Sequence, residues 1–590
     1  MANDGGAGLA PPERMRKLGH TFGEDGRSAF RVFAPAAGRV TVAILDGART
    51  VALARDELGY WTGATARLPP GTRYLLECDG RRLPDPASRS QPEGVHGPSA
   101  VAEVERVERQ GWRGVAVEDA IVYELHVGTF TPAGTLSAAA ARLPDLQALG
   151  ATVIELLPLA AFPGERNWGY DGTYPFALHA AYGGYRDLRQ LIEAAHRLGM
   201  AVILDVVFNH FGPEGNYSGT LAPYTRRADT PWGAAVNFDG EWSHGVRELF
   251  LANARYWLEE VGFDGFRMDA VSAILDGMPV HILRECTELA RRIGAAEGRE
   301  VLMIAEHLRN DRRVTADDGF AFHAQWNDDL GHAIFACLTG ERRRHHANFG
   351  PLEDVVKALT DAFVLDGTRL DRYHHYLLGS DGRATRGREH VVYLQNHDQV
   401  GNRPRGDRMI ASYGRAKALL GITTVMASPY VPLLFMGEEY GETAPFLFFE
   451  DFSDPRIVAG AREGRRAALA VEGGEPPDPH ARATFEASKL RWERRETTEG
   501  RAILGYYQAL IALKRAGELG PRDRGQLAIA ADVDRRLLRL ETPHTLTLLN
   551  YSGEPRAVEV APGWRRHLDS LGEPDGPGLG PFGARVYRRG

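Results

Sequence analysis

Short apolar runs alternate with longer helix-like segments through the middle of the chain, and this alternation restricts the fold more than any other feature. In residues 185–198 and 248–260, apolar residues recur at three and four positions, as they do on one face of a helix. Repeated βα units around a buried parallel sheet produce this order. Eight such units predict an α/β fold, a (β/α)8 barrel with long loop insertions. The predicted barrel strands are residues 122–125, 153–157, 202–205, 265–269, 301–306, 322–326, 391–398 and 431–436.

Both ends of the chain depart from this pattern. Residues 22–104 carry short β-branched or aromatic runs separated by Pro and Gly turns, which predicts an Ig-like β-sandwich. Short strands return from about residue 527, for example at residues 545–549, and predict a C-terminal β-sandwich domain. The predicted domains are the N-terminal sandwich at residues 1–105, a linker at 106–119, the catalytic barrel at 120–520 and the C-terminal β domain at 521–590.

Net charge and hydropathy restrict the kinds of partner. The 590 residues include 70 basic and 78 acidic side chains, a net charge of −8. Such a chain lacks the broad positive field that nucleic acid or an anionic membrane surface attracts. The longest apolar stretch, residues 418–436, is interrupted by Pro429 and Pro432, so we interpret it as a helix, a turn and a buried strand rather than a membrane span. A neutral small-molecule or polymer substrate is the predicted partner.

The cysteines and the N-terminal residues predict where the chain is found. Cys78, Cys286 and Cys337 lie far apart without a CxxC pair, which favours a reducing compartment and no zinc site. The N-terminal residues contain no apolar h-region, so we expect a cytoplasmic location. No GxGxxG or GxxxxGKS/T sequence stands between a strand and a helix, so no nucleotide cofactor is expected. Histidine pairs at residues 345–346 and 374–375 have no further ligand at a recognisable spacing, and we predict a solvated surface there instead of a metal site.

Polar and charged side chains stand at the ends of four predicted barrel strands. In a (β/α)8 barrel the carboxyl ends of the strands face the mouth of the active site, whereas the buried strands are otherwise apolar. A single residue of this kind could instead cap the following helix, but four groups in order favour a catalytic site. These residues are Asp205 and His210 in DVVFNH, Arg267 and Asp269 in GFRMD, Glu306 in MIAE, and His397 and Asp398 in LQNHD.

Three of these carboxyl groups suit the cleavage of an acetal. Arg267 and Asp269 stand two apart on one strand and so share a face, where the cation would keep the carboxylate ionised for nucleophilic attack. Glu306 ends an apolar strand, and desolvation there would raise its pKa toward that of a general acid. Asp398 supplies a further anion for an oxocarbenium-like transition state. Sequence spacing does not give the carboxyl separation that distinguishes retention from inversion.

The four groups resemble, in order and spacing, the four motifs of the alpha-amylase superfamily. The resemblance implies a retaining mechanism with Asp269 as nucleophile, Glu306 as general acid/base and Asp398 as transition-state stabiliser. It also implies that the N-terminal sandwich is similar to glycan-binding modules. Trp61 in this sandwich would then be either a platform for a sugar ring or, more simply, a packing residue. The residues implied to bind the attacked glucose are Asp205, His210, Arg267, His397, Tyr170 and Trp168, of which the last two, in NWGYDG, could alternatively pack the loop.

Longer stretches are similar to one branch of this superfamily, the malto-oligosyltrehalose trehalohydrolase family. The resemblance implies hydrolysis of the α-1,4 bond beside a terminal trehalose, releasing trehalose and a shortened malto-oligosaccharide. It implies malto-oligosyltrehalose or a related α-glucan as substrate, and malto-oligosyltrehalose synthase as a pathway partner without a stable complex. Branching enzymes share several of the stretches, so a glucan branching enzyme is the alternative, followed by a non-catalytic glycan-binding protein. The stretches are residues 85–99, 123–135, 167–177, 325–333, 393–403 and 435–449.

The chain departs from the family pattern at a few positions predicted to border the leaving-group side. Ser272 follows the second motif where a histidine is expected, Gly331 interrupts an expected histidine pair, and His307 follows the third motif in place of a more polar run. Fewer polar groups there would weaken the selection for trehalose, because a site built around hydroxyls discriminates through paired hydrogen bonds. Glu438 and Glu439, just after the eighth strand, either touch substrate or stabilise a helix start.

Overall fold

A computed structural model of the chain describes residues 17–470, 475–574 and 576–590. Within them, eight parallel strands follow one another in chain order and close into a barrel, the first strand pairing with both the second and the eighth. The predicted (β/α)8 fold is therefore confirmed, while residues 1–16 of the predicted N-terminal domain lie outside the described part. The barrel strands are Val122–Leu125, Val153–Leu156, Ala201–Val206, Gly265–Met268, Leu302–Ala305, Ala324–Trp326, His390–Val392 and Val431–Phe435.

The period-two alternation of the strands decides what lies inside the barrel. Val122 and Val153, on the first and second strands, belong to an apolar cluster in the interior. Two positions further along, the same strands carry Glu124 and Glu155, which lie opposite each other in the parallel register. Residues two apart in a strand share a face, so the apolar interior gives way to charge toward the carboxyl ends. We call the resulting set, Glu124, Glu155, Asp205 and Arg267, the charged layer; the last two are also register partners.

Helices connect the strands around the outside of the barrel. Residues 418–436 fold as predicted, into the end of a helix, a turn and a buried strand. The predicted helix at residues 248–260 begins earlier, at Ser243, and continues into a π-helical turn, Tyr256–Val261. Across the described residues no helix is long and apolar enough to cross a membrane. The α-helices are Val127–Phe130, Leu136–Ala140, Leu143–Leu149, Tyr185–Arg197, Ser243–Arg255, Ile282–Glu297, Asp328–Thr339, Leu352–Asp361, His397–Gly401, Met409–Tyr413, Arg415–Ala427, Pro455–Leu469, Arg482–Ala487 and Thr498–Arg515.

The seventh strand is shorter than the sequence pattern predicts. It ends at Val392 rather than continuing to residue 398. Asn396 caps a short helix, His397–Gly401, and its side-chain oxygen accepts a hydrogen bond from the backbone N–H of Gln399 at 2.8 Å. An asparagine N-cap satisfies an otherwise unpaired helix donor and so favours helix over strand at this point. His397 and Asp398 therefore lie in the first turn of a helix.

Further sheets at the two ends of the chain confirm the predicted β domains, although the domain boundaries themselves remain predictions. The N-terminal module meets the barrel at Arg31, whose guanidinium lies 2.6 Å from the Glu248 carboxylate. The C-terminal module meets it through a buried hydrogen bond of 2.7 Å between the hydroxyls of Thr424 and Tyr551. The N-terminal strands are Gly19–Phe22, Ser28–Phe33, Ala54–Arg55 and Tyr60–Thr65 in one sheet, and Val40–Ile44, Arg49–Ala52, Arg73–Cys78, Arg81–Leu83 and Ser99–Ala100 in the other. The C-terminal strands are Ala528–Asp532, Leu537–Glu541, Thr545–Asn550, Trp564–Asp569 and Ala584–Arg589 in one sheet, with Arg556–Ala557 paired to Gly578–Leu579.

Two short antiparallel pairs lie in the loops that follow the second and third barrel strands. Ala160–Ala161 pairs with Tyr174–Leu178, which brackets the segment that carries the NWGYDG sequence. Thr225–Thr230 pairs with Gly233–Val236 and forms a ribbon beyond the DVVFNH sequence. These ribbons give the long insertions their own backbone hydrogen bonds, so the loops that frame the barrel mouth are structured.

Candidate active site

One guanidinium, that of Arg267, holds three carboxyl groups together at the mouth of the barrel. Its Nη1 donates to Asp205 Oδ2 at 2.7 Å and to Asp269 Oδ1 at 2.8 Å, and its Nη2 lies 2.7 Å from Glu306 Oε2. The Arg267 side chain is fully buried. Burial alone would lower its pKa, but the surrounding acidic groups, Asp205 foremost, raise the pKa of Arg267 well above its usual value. Arg267 is thus a permanent cation that links the third, fourth and fifth strands of the barrel.

Asp269 follows the fourth strand and is held through both of its carboxylate oxygens. Oδ1 accepts from Arg267, and Oδ2 accepts a hydrogen bond of 2.8 Å from the side-chain amide of Asn209. The side chain is buried except for a small exposed fraction at the barrel mouth, 10%. Charge-assisted hydrogen bonds on both oxygens fix the direction of the carboxylate, which is what a nucleophile that attacks a bound substrate requires.

Glu306 follows the fifth strand and faces Asp269 across the guanidinium. Its Oε2 accepts a hydrogen bond of 2.8 Å from the backbone N–H of Ala270. Burial raises the pKa of Glu306 well above its usual value, and the negative charges of Asp269 and Asp398 raise it further, while Arg267 opposes the shift. A carboxyl group that keeps its proton near neutral pH can donate it to a leaving oxygen. The environment of Glu306 therefore suits the general-acid role predicted from the sequence.

Asp398 is the most exposed of the three candidate catalytic carboxyl groups, with 40% of its side chain accessible. Its Oδ1 accepts from the Asn402 side chain at 3.1 Å and lies 3.5 Å from His397 Nε2. Behind it, His397 Nδ1 lies 2.5 Å from Glu124 Oε1. Burial alone would lower the pKa of His397, but Asp398 and Glu124 raise it to about 9. The imidazole is therefore a cation at neutral pH, and Asp398 faces the opening with a positive charge at its back.

Tyr170 and His210 complete the same hydrogen-bonded network. The Tyr170 hydroxyl donates to Asp205 Oδ2 at 2.6 Å and lies 2.9 Å from His397 Nε2, and the two rings stack with centroids 5.2 Å apart. His210 Nε2 lies 3.1 Å from the backbone oxygen of Tyr170, and its ring stacks on the exposed Trp232. The structure thus brings together five of the six predicted substrate-binding residues.

Trp168 is the sixth, and the structure places it behind the site. Only 4% of this residue is exposed, and its indole N–H donates to the backbone oxygen of Leu447 at 2.8 Å. Its ring lies edge-on to His397, and a Cβ built on Gly401 would come within 2.2 Å of it. Gly401 belongs to the short helix that also carries Asp398. Trp168 therefore fits the loop-packing alternative. Its ring packs against His397 and the helix of Asp398, and it does not face the opening.

Sequence reasoning missed two glutamates of the charged layer and one amide beside it. Glu124 and Glu155 are fully buried, and neither oxygen of Glu155 has a hydrogen-bond partner among the described residues. Burial raises the pKa of Glu155 well above its usual value, and Glu124 raises it further. Asn209, which orients Asp269, stands inside the DVVFNH motif. The signal for both glutamates was present, since VYEL and VIEL each place a charged residue in an otherwise apolar strand.

The positions at which the chain departs from the family pattern have different surroundings. A Cβ built on Gly331 would lie 2.5 Å from the backbone oxygen of Tyr393, so the helix Asp328–Thr339 and the seventh-strand segment meet too closely for a side chain. A Cβ at Gly331 would thus meet the neighbouring backbone, with the Gln399 side chain 3.6 Å away, and its position on the leaving-group side stays a prediction. His307 is buried, and burial lowers its pKa to about 4. Ser272, in a short 3-10 turn directly after the nucleophile motif, is partly exposed.

The remaining open alternatives concern buried residues. Glu438 and Glu439 are 4% and 2% exposed, and burial raises their pKa values to about 8 and about 7. Glu438 accepts from the Gln395 side chain and Glu439 from the Tyr123 hydroxyl, so both carboxyl groups are bonded to buried side chains. Trp61 is 7% exposed and donates its indole N–H to a backbone oxygen of its own module, which makes it a packing residue. In the described part of the chain, no three His, Cys, Asp or Glu side chains are arranged to hold a metal ion.

Comparison with known proteins agrees with this geometry. The model of the alpha amylase catalytic domain matches residues 84–229 and 239–482, which include every residue of the network around Arg267. The crystal structure of a protein from Salmonella typhimurium superposes with a TM-score of 0.87, at 35% sequence identity, covering 97% of this chain and 99% of that one. The chain belongs to the alpha-amylase family of glycoside hydrolases.

Curated relatives narrow the family further. A malto-oligosyltrehalose trehalohydrolase from Saccharolobus solfataricus is 42% identical over 508 residues, covering 84% of this chain and 87% of that protein. A 1,4-alpha-glucan branching enzyme from Corynebacterium jeikeium is 29% identical over 464 residues, covering 71% of this chain and 62% of that protein. Both the identity and the coverage favour the first group, and within the alpha-amylase family this chain is a member of the malto-oligosyltrehalose trehalohydrolases.

Proposed function

We propose that this chain is a retaining glycoside hydrolase that cleaves the α-1,4-glucosidic bond next to the terminal trehalose of malto-oligosyltrehalose. The products are trehalose and a shortened malto-oligosaccharide. The relatives supply the substrate, and the observation that carries the retaining mechanism is the contact of one buried guanidinium, Arg267, with both Asp269 and Glu306. Two carboxyl groups on a single guanidinium favour the short separation of retaining enzymes, about 5–5.5 Å, over the gap of about 6.5–9.5 Å in inverting ones.

The first half of the reaction uses both carboxyl groups at once. Asp269 attacks the anomeric carbon of the glucose that precedes trehalose, while the Glu306 proton passes to the glycosidic oxygen. The bond between that carbon and that oxygen breaks, trehalose leaves with the proton, and a covalent glycosyl ester forms on Asp269. In the second half Glu306, now ionised, takes a proton from water, whose oxygen displaces Asp269 and restores the starting anomeric configuration.

Asp398 acts in both of these steps. The glucose ring carries a partial positive charge in both transition states, and the partly exposed Asp398 carboxylate can accept hydrogen bonds from its hydroxyls. The cation at His397 limits the repulsion between Asp398 and the other carboxylates of the network. Asp398 thus stabilises the transition state without forming a bond to the sugar.

The residues around Tyr170 hold the attacked glucose in place. A partly exposed aromatic ring gives the C–H face of a pyranose an apolar surface, and Asp205, His210 and His397 offer hydrogen-bonding groups next to it. Because these side chains bond to each other before substrate arrives, little ordering remains to be done on binding. We assign Trp168 a positioning role behind His397, not a substrate contact.

The cellular setting forms part of the proposal. The enzyme would work in the cytoplasm and take its substrate from malto-oligosyltrehalose synthase by diffusion, without a stable complex. The substrate carries no charge, which agrees with a chain whose acidic and basic residues are nearly balanced, 78 against 70.

Product analysis on three substrates tests the proposal. The purified protein is incubated with maltotriosyltrehalose, with maltopentaose and with amylose, and the products are separated by chromatography. We expect trehalose from the first and little change in the others, with Glu306→Gln as the inactive control. Cleavage of amylose, or new α-1,6 branches in it, with maltotriosyltrehalose left intact would keep the family chemistry and overturn the substrate assignment.

A further inference from the structure

Most of the large apolar side chains that remain exposed lie on segments that follow consecutive barrel strands. Among the described residues, nine of the eleven are found after the third to sixth strands, and the flanking modules hold one each, Leu58 and Val533. Exposed apolar side chains concentrated in one region mark binding surfaces more often than scattered ones do. The nine are Tyr217, Trp232, Leu275, Met278, Leu308, Leu370, Tyr373, Tyr376 and Leu377.

Four of these nine belong to one hairpin between the sixth and seventh strands, residues 366–379, which we call the rim hairpin. Leu370 bridges Leu377 in antiparallel fashion, so the turn between them projects both tyrosines. Asp371 organises the turn: it is 2% exposed, accepts from the backbone N–H of Tyr373 at 2.8 Å and lies 2.5 Å from His374 Nδ1. The buried Asp371 carboxylate thus fixes the turn that carries the two exposed tyrosines.

The rim hairpin is fastened to the segment that carries the general acid. Asn310, four residues after Glu306, donates its side-chain amide to the Leu365 oxygen at 2.9 Å, and its own backbone oxygen accepts from the Ser380 hydroxyl at 2.7 Å. Both ends of the hairpin thus bond to one residue of the Glu306 loop. A further bond, from the backbone N–H of Arg312 to the Ser380 hydroxyl at 2.9 Å, also ties the end of the hairpin to the loop that leads away from Glu306.

The exposed rings of the rim hairpin are spaced by a hydrogen-bonding side chain. Tyr373 and Tyr376 are each 41% exposed. His374 lies between them, with its ring centroid 4.7 Å from that of Tyr373 and 5.6 Å from that of Tyr376. Ring faces that alternate with polar groups match a sugar chain, in which apolar C–H faces alternate with hydroxyls.

We propose that Tyr373 and Tyr376 of the rim hairpin form a binding platform for α-1,4-glucan chains, outside the catalytic pocket. The platform deepens the proposed function, on which the choice of an α-glucan as ligand rests. A glucan segment bound there is held close to the loop of Glu306, which raises the effective concentration of its reactive end at the catalytic residues. Its effect grows with chain length, because a short oligosaccharide cannot occupy the pocket and the platform together.

The composition of the turn favours a glucan over a second copy of this chain. Protein interface cores are depleted of charged side chains. In this turn Arg372, His374 and His375 stand between and beside the tyrosines, and all three are exposed. Hydroxyl groups of a sugar can pair with such side chains singly, whereas a dry protein interface would have to desolvate all of them at once.

Electrophoresis in native gels that contain amylopectin tests the platform directly. All variants carry Glu306→Gln, so that the polymer in the gel is not cut. We expect Tyr373→Ala with Tyr376→Ala to bind amylopectin about tenfold more weakly, equivalent to about 1.4 kcal/mol. Tyr373→Trp with Tyr376→Trp keeps two ring faces and should bind as the parent does, and Val533→Ala is the matched control on an exposed apolar residue elsewhere.

Three outcomes would overturn the platform. One is equal retardation of the double alanine variant and the Val533→Ala control; another is a parent protein that amylopectin does not retard. The third is a change from dimer to monomer in the double alanine variant on size exclusion, with retardation unchanged, which would make the hairpin a self-association surface. Trehalose release from maltotriosyltrehalose is measured separately, in protein that retains Glu306. If no trehalose is released, the proposed function is wrong, whereas the retardation in amylopectin gels still tests the platform.

Discussion

The charged layer and the rim hairpin, which is anchored to the loop that follows Glu306, are stabilised in opposite ways. In the charged layer, the fully buried Arg267 forms an ion pair with Asp205, and it also contacts Asp269 and Glu306 beside the layer. In the rim hairpin, two tyrosines are 41% exposed, and the turn that carries them is bonded to the buried Asp371 carboxylate. A buried charge network resists replacement of any one member, whereas exposed rings can be exchanged at little cost in stability. The chemistry is thus built into the part of the molecule that is hardest to change.

The largest expected effect comes from removing the cation of the charged layer. Arg267→Ala leaves Asp205, Asp269 and Glu306 without their shared partner, and breaking a buried ion pair in this way costs about 3–5 kcal/mol of stability. We expect kcat/KM to fall by about 10⁴-fold or more, because the directions of both reacting carboxyl groups are lost. Thermal unfolding and steady-state kinetics measure the two effects. Arg186→Ala, which removes an exposed arginine from a barrel helix, should change neither.

Glu306→Gln separates chemistry from stability within the same network. Loss of a general acid lowers the rate by about 10²–10⁴-fold. Burial disfavours the charged form of Glu306, so a neutral amide of the same shape should leave the Tm unchanged or raise it. A decrease in Tm as large as that of Arg267→Ala would contradict the raised pKa of Glu306.

His397 makes the stability of the network depend on pH. Its pKa rises from the unfolded value of 6.5 to about 9 in the folded protein, so folding favours the protonated form. The resulting stabilisation is fully present below pH 6.5 and is lost as the pH rises through 9; it amounts to about 3 kcal/mol. Urea unfolding at several pH values should show this loss in the parent and a smaller loss in Glu124→Gln. His567→Gln, at an exposed histidine of the C-terminal sheet, should reproduce the parent curve.

The smallest expected effect concerns the contact between Gly401 and Trp168, next to the helix turn that carries Asp398. A methyl group on Gly401 would meet the Trp168 ring at 2.2 Å, so Gly401→Ala must shift the helix that carries Asp398. We expect kcat to fall about tenfold to a hundredfold with the fold retained. Adding Trp168→Leu should restore part of the rate by making room. Gly505→Ala, at a helical glycine with no atom within 4 Å of its Cβ, should be silent.

Much of the fold could be predicted because each barrel strand has a local sequence signal. All eight were found from apolar runs, since burial on both faces leaves a continuous apolar sequence. The seventh was drawn too long because the cap of Asn396 competes with the strand pattern over only a few residues. Local sequence gives the period of an element more reliably than its end.

The candidate site was predictable to the extent that its residues break a local pattern. Asp269 and Glu306 stand out at the ends of apolar strands, and Glu124 and Glu155 would have stood out by the same rule. The burial of Trp168 could not be deduced, because it depends on Gly401, more than two hundred residues away in the chain. The surface of the rim hairpin could likewise not be predicted from the sequence. Its histidines and tyrosines lie side by side only in the turn to which Asp371 bonds.

The close approach of Gly331 to the Tyr393 backbone has a consequence for how such a chain can change over time. With its Cβ position 2.5 Å from a backbone carbonyl oxygen, a residue larger than glycine can enter there only if the backbone on one side shifts. The helix would first have to move away from the seventh-strand segment, and only then could a histidine be accepted. The identity of residue 331 and the spacing between this helix and the seventh-strand segment are therefore linked, and a side chain there requires a wider spacing.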